Sequence, residues 1–222
     1  MFIPTTSREV ASLGWRHLDI ILVTGDSYID SPHIGIAVIG RVLLNAGYRV
    51  GIIAQPDVHS ADDIRRLGEP RLFWGITAGS VDSMVANYTP LGKRRRSDDY
   101  TPGGQNERRP DRAAIVYANL IRRYWRPTAP IVLGGLEASL RRISHYDFWS
   151  NRIRRSILFD ARADVLVYGM GEQTVLELAA ALDRQTDFRT LRGLCYIASR
   201  PKEDYFLLPT HSEVSRDPQA FI

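Results

Sequence analysis

The residues whose spacing bears on chemistry are glycines, carboxylates and arginines, and they concentrate between residues 131 and 172. That stretch reads IVLGGLEASLRRISHYDFWSNRIRRSILFDARADVLVYGMGE. Two β-branched apolar runs, 131–133 and 165–168, each end in glycines: Gly134 and Gly135 after the first, Gly169 and Gly171 after the second. An apolar run that stops at glycine and leads into a helix is a strand–turn–helix unit. Glycine there admits positive φ and lets a ligand approach the main chain. Glu137 and Glu172 sit just past the two turns. A carboxylate at that place either accepts hydrogen bonds from a ligand or a neighbouring domain, or neutralises a helix N-terminus. The turns after two earlier apolar runs add polar groups: Thr24, Gly25, Asp26 and Tyr28, and then Thr77, Gly79 and Ser80.

Other chemistries are excluded by what is missing. Cys195 is the single cysteine, so neither an intrachain disulfide nor a Cys-only metal site can form, and no metal ligand is assigned. The five histidines are scattered, and there is no G-x-S-x-G elbow, G-x-G-x-x-G or Walker sequence. Catalytic residues are therefore assigned to none of these positions. Arg141, Arg142 and Arg152 surround His145, Tyr146 and Trp149. Arginine with aromatics suits either RNA, by stacking and phosphate contact, or a domain interface. The interface is the expectation, because no RNA-binding module signature accompanies it.

The elements that must position these residues follow from periodicity. Buried strands are expected at 19–24, 49–54, 71–77, 130–133 and 164–168, with helices near 34–46, 61–67, 111–124 and 172–182. A short helix capped by Thr6 and Ser7 precedes them, within a lead-in of residues 1–18. Asp111 is the expected N-cap of the helix at 111–124. Trp149, Ile153 and Ile157, at i, i+4 and i+8, predict a helix between the fourth and fifth strands. This alternation is that of a parallel sheet with helices on both faces. The fold class expected is therefore α/β: a flavodoxin-like, doubly wound, five-stranded parallel sheet over residues 19–190. Ligand crevices in such sheets lie outside the carboxyl ends of the strands, so all the turn residues above should face one crevice, bordered by segment 141–155. Residues 87–110, containing LGKRRRSDDYTPGGQNERRP, break the rhythm as a long charged insertion. Their composition predicts a weakly packed loop over 93–109. Residues 191–222 read as an exit segment or small hairpin, with strands near 194–198 and 205–208.

Composition bounds the rest. At 222 residues and 44% hydrophobic the chain can bury one large core. The net charge is +4, and only Lys93 and Lys202 are lysines, so 27 of the 29 basic residues are arginine. A GC-rich genome accounts for that total but not for the clustering. No run approaches the roughly 18 apolar residues of a membrane span, and the start is not a signal peptide. Cytoplasmic localisation is the expectation.

Several stretches together resemble the N-terminal region of the YgiQ-type radical SAM proteins. They are LDIILVTGDSYIDSPHIGIAVIGRVL, VGIIAQP, KRRRSDDYTPGGQNERRPDRA, the block from Gly134 to Glu172, and RGLCYIAS. The resemblance runs over essentially the whole chain. It implies a cobalamin-binding-like domain placed before a radical SAM barrel. In that barrel a CxxxCxxC motif would hold a [4Fe-4S] cluster, whose open iron binds S-adenosylmethionine; this chain lacks the motif. The resemblance thus implies an accessory domain that binds cofactor or substrate, with the downstream barrel as partner and an unassigned substrate. A stand-alone nucleotide- or flavin-binding module and an RNA-binding protein using the Arg-rich loop are the alternatives. Asp30-Ser-Pro-His33-Ile-Gly35 has the spacing DxxHxG, against DxHxxG in cobalamin domains whose histidine binds cobalt. Any cobalamin is accordingly expected without ligation by His33.

Overall fold

Short apolar runs bounded by turn residues become strands buried on both faces, as parallel sheets require. In the computed structural model, which describes residues 2–203 and 205–221, they are β1 (Ile20–Thr24), β2 (Val50–Ala54), β3 (Phe73–Thr77) and β4 (Ile131–Leu133). A hairpin of β5 (His145–Asp147) and β6 (Arg152–Arg154) follows, then β7 (Val165–Val167) and β8 (Leu194–Tyr196). The helices are α1 (Ser7–Ser12), α2 (Gly35–Asn45), α3 (Asp62–Arg65), α4 (Ser83–Asn87) and α5 (Ala113–Tyr124). Beyond them come α6 (Gly135–Leu140), α7 (Ile157–Ala161), α8 (Glu172–Asp183) and α9 (His211–Arg216).

The main sheet has the order β2-β1-β3-β4-β7-β8. The first five strands are parallel, the flavodoxin-like arrangement; β8 adds an antiparallel edge beside β7. Register aligns Thr24 with both Ala54 and Thr77, so the carboxyl ends of the three strands are level. The faces are covered unequally. One carries α1, α3, α5, α6 and α7 around Ile21, Val23, Trp74 and Leu133. The other carries α2 and α8, with Ile3 and Phe188 beside them, over Ile20, Leu22, Phe73, Val132 and Val167.

Several expectations need correction. The sheet has six strands rather than five, because the stretch 194–198, read as part of a small hairpin or exit segment, supplies β8, which pairs with β7 instead of with 205–208. Residues 205–208 form no strand, and Tyr205, Phe206, Leu207 and Leu208 are exposed. The helix expected through Trp149, Ile153 and Ile157 is instead the β5–β6 hairpin. Asn151 takes φ 48° at its turn, and Tyr146 Oη donates to Asn151 Oδ1 at 2.8 Å. Trp149 leaves the i, i+4 stripe and stacks on Tyr88, ring centroids 5.4 Å apart. Asp111 does not cap α5. It accepts from Asn87 Nδ2 at 2.8 Å and Tyr88 Oη at 2.7 Å, while Arg112 occupies the N-cap position at φ 52°.

The insertion departs most from its composition. Arg109 is fully buried, with Nη2 2.7 Å from Asp26, Nη1 3.2 Å from Asp98, and Nε donating to the Gly25 carbonyl at 3.0 Å. Gln55 Nε2 donates to the same carbonyl at 2.9 Å and to Thr101 Oγ1, which in turn donates to Asp98 at 2.6 Å. The expectation of weak packing over 93–109 thus needs correction at Asp98, Thr101 and Arg109, which are buried under the β1 turn, while residues 93–97 are exposed; charged residues can bury when their charges satisfy one another. No helix among the described residues is long and apolar enough to cross a membrane.

Candidate functional site

Alternation along the strands decides what faces the sparsely covered side. Leu22 and Thr24 of β1, Phe73, Gly75 and Thr77 of β3, Val132 of β4 and Val167 of β7 point there. Over them, at the carboxyl edge, the N-terminal halves of α2 and α8 leave a cleft of about 370 Å³. Ile36 and Ile39 of α2 and Val175 of α8 form its sides, so most of its surface is apolar. Polar groups come from the strand ends at Thr24 and Thr77, the turns after them and the start of α8.

Ten of the thirteen residues expected at one crevice line this cleft: Thr24, Asp26, Thr77, Gly79, Ser80, Gly134, Gly135, Gly169, Gly171 and Glu172. Their tasks differ. Thr24 Oγ1 accepts the Asp26 N–H at 3.2 Å, and Thr77 Oγ1 accepts the Gly79 N–H at 3.2 Å, so both hydroxyls hold their own turns. The Asp26 carboxylate is occupied by Arg109 and by the Ser80 N–H at 2.6 Å. Ser80 Oγ is buried and has no hydrogen-bond partner among the described residues.

The glycines also divide. Gly135 has φ 79°, and a Cβ there would lie 2.4 Å from Thr77 Oγ1; at Gly79, with φ 118°, it would lie 2.0 Å from Asp26 Oδ1. Both are required by packing within the protein. Gly134 is extended, and a Cβ on it meets nothing nearer than the Val167 carbonyl at 3.9 Å; at Gly169 nothing lies within 4 Å. These two leave the cradle open.

Three expected residues lie outside the cleft. Gly25 turns its carbonyl to Arg109 and Gln55, and a Cβ on it would lie 2.1 Å from the Ala78 oxygen. Tyr28 packs against the second core cluster. Glu137 is buried, accepting from Ser83 N at 2.8 Å and from Ala114 N at 3.1 Å. Burial first, and then the Asp82 charge, push its carboxyl above the usual range. Glu137 serves the start of α5.

Segment 141–155 does not border the cleft. Arg141 pairs with Asp82; Arg142 donates to the Ser139 carbonyl at 2.7 Å and lies over the Tyr168 ring. His145 is half-buried, and that burial lowers its pKa; Nδ1 contacts the Ile143 carbonyl at 3.1 Å. Asp147, buried, pairs with Arg112 at 2.5 Å and docks the hairpin on α5. Tyr146 and Arg152 are exposed on that hairpin. His33 is exposed on the cleft's lip. Leu22, Phe73, Gly75, Val132 and Val167 were missed as lining residues; strand alternation, with a glycine in mid-strand at Gly75, was the signal that could have found them.

A family model described as Radical SAM N-terminal matches residues 2–222. A UPF0313 protein of Thermotoga neapolitana is 57% identical over 224 residues, covering 100% of this chain and 39% of its own length. A UPF0313 protein of Fusobacterium nucleatum is 53% identical over 222 residues, with the same 100% and 39% coverage. The chain thus spans about 39% of the length of these curated relatives. Among solved structures, it is similar to part of the radical SAM methyltransferase TsrM from Kitasatospora setae, with cobalamin and a [4Fe-4S] cluster bound. The TM-score is 0.51 and the identity 20%, over 81% of this chain and 29% of that one. At that identity the likeness concerns the fold.

Proposed function

The chain belongs to the Radical SAM N-terminal family of UPF0313 proteins, and we propose that its cleft holds a corrinoid for the catalytic part of a longer protein. The observation that carries this reading is the apolar cleft at the carboxyl edge, opened by Gly134 and Gly169. The fit is one of shape and chemistry. A flat, largely uncharged ligand with polar groups at its edge suits an apolar floor, two side-chain-free positions and one free hydroxyl at Ser80. Gly134, Gly169 and Ser80 would hold it, with Ile36, Ile39 and Val175 against its apolar parts. Bound there, a cobalamin would supply cobalt-centred group-transfer chemistry. The residues of this chain orient it and keep water from its apolar faces. His33 is not used as a ligand in this reading.

Iron–sulfur and S-adenosylmethionine chemistry is assigned to the rest of the longer protein. One cysteine cannot replace the three that such a cluster takes, and burial pushes the Cys195 thiol up, away from the thiolate a metal needs. The catalytic part is proposed to cover the apolar rim of the cleft, where Leu136 and Met170 are exposed.

The test uses the full-length protein incubated anaerobically with hydroxocobalamin and desalted, with bound corrinoid read by visible absorbance. Gly134→Leu fills the cradle without a backbone conflict, since position 134 is extended and its Cβ position is open. Retention by the variant should fall roughly tenfold or more, equivalent to about 1.4 kcal/mol. Equal retention, or none by the unsubstituted protein, rejects the reading.

A further inference from the structure

The insertion and the hairpin, distant in sequence, form one surface. Tyr88, at the root of the insertion, stacks on Trp149 of the hairpin turn at 5.4 Å. Phe148 stands edge-on to Trp149 at 5.3 Å and is 60% exposed. The strand-like pairing of Tyr88 with Arg94, and the Thr89 N–H donated to the Lys93 carbonyl at 2.8 Å, fold Lys93 and Arg94 back beside Tyr88. The Arg94 guanidinium lies over the Tyr88 ring, and the Arg95 N–H is donated to the Asn87 carbonyl at 2.8 Å. On the hairpin, Arg152 is paired in register with Asp147, next to the turn that carries Phe148 and Trp149.

The charges exposed between Asn87 and Ser97 are of one sign, and Asp111, which meets Tyr88 Oη at 2.7 Å and Arg94 at 3.8 Å, is the carboxylate at their root. Lys93, Arg94, Arg95 and Arg96 are all exposed, and no carboxylate falls between Asn87 and Ser97. The carboxylate nearest the hairpin turn, Asp147, is buried and matched by Arg112 and Arg154. Among the described residues Lys93, Arg96 and Arg152 make no side-chain hydrogen bond or ion pair. They stand in contrast to Arg109, Arg112 and Arg141, which the fold uses internally. Internal structural demand therefore accounts for the second group of cations and leaves the first without a task.

We propose that this surface binds single-stranded nucleic acid, the unpaired cations contacting phosphates and the exposed Phe148 ring stacking a base. Single strands fit better than duplex, because an unstacked base is needed to meet the ring and no helix here is presented to a groove. An acidic protein would use the same cations, and polyglutamate stands in for it in the test. This surface is separate from the apolar cleft, so the inference does not depend on the corrinoid reading.

The test is fluorescence anisotropy of a labelled single-stranded RNA of mixed sequence with the full-length protein, between 50 and 200 mM salt. Three phosphate contacts give a log–log salt slope near about −2, so affinity should fall roughly twentyfold across that range. The triple variant Lys93→Ala, Arg96→Ala, Arg152→Ala should flatten the slope. Phe148→Leu, which keeps apolar bulk but removes the ring, should weaken RNA binding at least about fivefold. It should leave binding of polyglutamate unchanged. Circular dichroism of both variants checks that the hairpin remains folded, since each replaced group is exposed. No RNA binding by the unsubstituted protein, or unchanged binding by the triple variant, overturns the proposal. Loss on cation removal with no effect of Phe148→Leu also overturns it, in favour of an acidic protein partner.

Discussion

Arg109 has no solvent contact, and its charge is balanced by Asp26 and Asp98, both equally buried. Removing one partner from such a group strands the others, which costs about 3–5 kcal/mol. Arg109→Met should therefore lower stability by that amount in urea denaturation, although methionine nearly matches the volume lost. A loss below about 1 kcal/mol would mean that the trio is solvated. Asp19 offers a pH test. Burial pushes its carboxyl up, but the Arg49 and Arg71 pairs more than offset this and hold its pKa at about 2. A free aspartate titrates near about 3.9, so the folded value is depressed. The pairs stabilise the fold fully above that pH, and the contribution is lost as pH falls towards 2. Asp19→Asn should lower stability at neutral pH by roughly 2 kcal/mol and flatten the profile between about pH 4 and 2. A variant curve parallel to the unsubstituted one through that window would contradict the assignment.

At the scale of elements, α5 shows how a helix can be capped from elsewhere. Its own N-cap residue, Arg112, is left-handed and offers no side-chain bond. Ser83 Oγ accepts the Ala113 N–H at 3.0 Å, and Glu137 accepts that of Ala114. Ser83→Ala removes the acceptor and also a donor to the buried Glu137, so it should cost about 1–2 kcal/mol by thermal or chemical denaturation. Asp111→Ala, which the sequence marks as the cap, should leave the α5 N-terminus intact, with amide exchange of Ala113 and Ala114 as the readout. The same comparison shows what was legible. The five parallel strands could be read because each is a short apolar run that ends in a turn. The glycine turns could be placed because parallel topology puts them on one edge. The remote cap could not be read, since Ser83 and Glu137 reach α5 only through tertiary packing. The hairpin was misread because Trp149, Ile153 and Ile157 share a helical spacing by coincidence. Tyr88, far away in sequence, decides where Trp149 goes. Buried Arg109 was hidden by the exposed charges on either side of it.

The whole molecule is asymmetric about its sheet. Five helices close one face, while α2 and α8 leave the other open over β3 and β4 at the carboxyl edge. A ligand that fills this opening binds the folded chain and not the unfolded one, because the floor draws on four strands that meet only in the fold. Stability must then rise with ligand concentration, by about 2.7 kcal/mol at a hundred times the dissociation constant. Hydroxocobalamin should therefore raise the denaturation midpoint of the protein in a concentration-dependent way. Gly134→Leu should be little changed in the absence of ligand, since its side chain enters space the protein leaves empty, and at the same hydroxocobalamin concentration its rise should be smaller by about 1.4 kcal/mol or more, the tenfold loss of affinity. Phe148→Leu, on the separate surface, should respond as the unsubstituted protein does. This pattern separates a ligand held in the cleft from one adsorbed elsewhere: adsorption would shift all three proteins alike, and that result would remove the cleft as the corrinoid site.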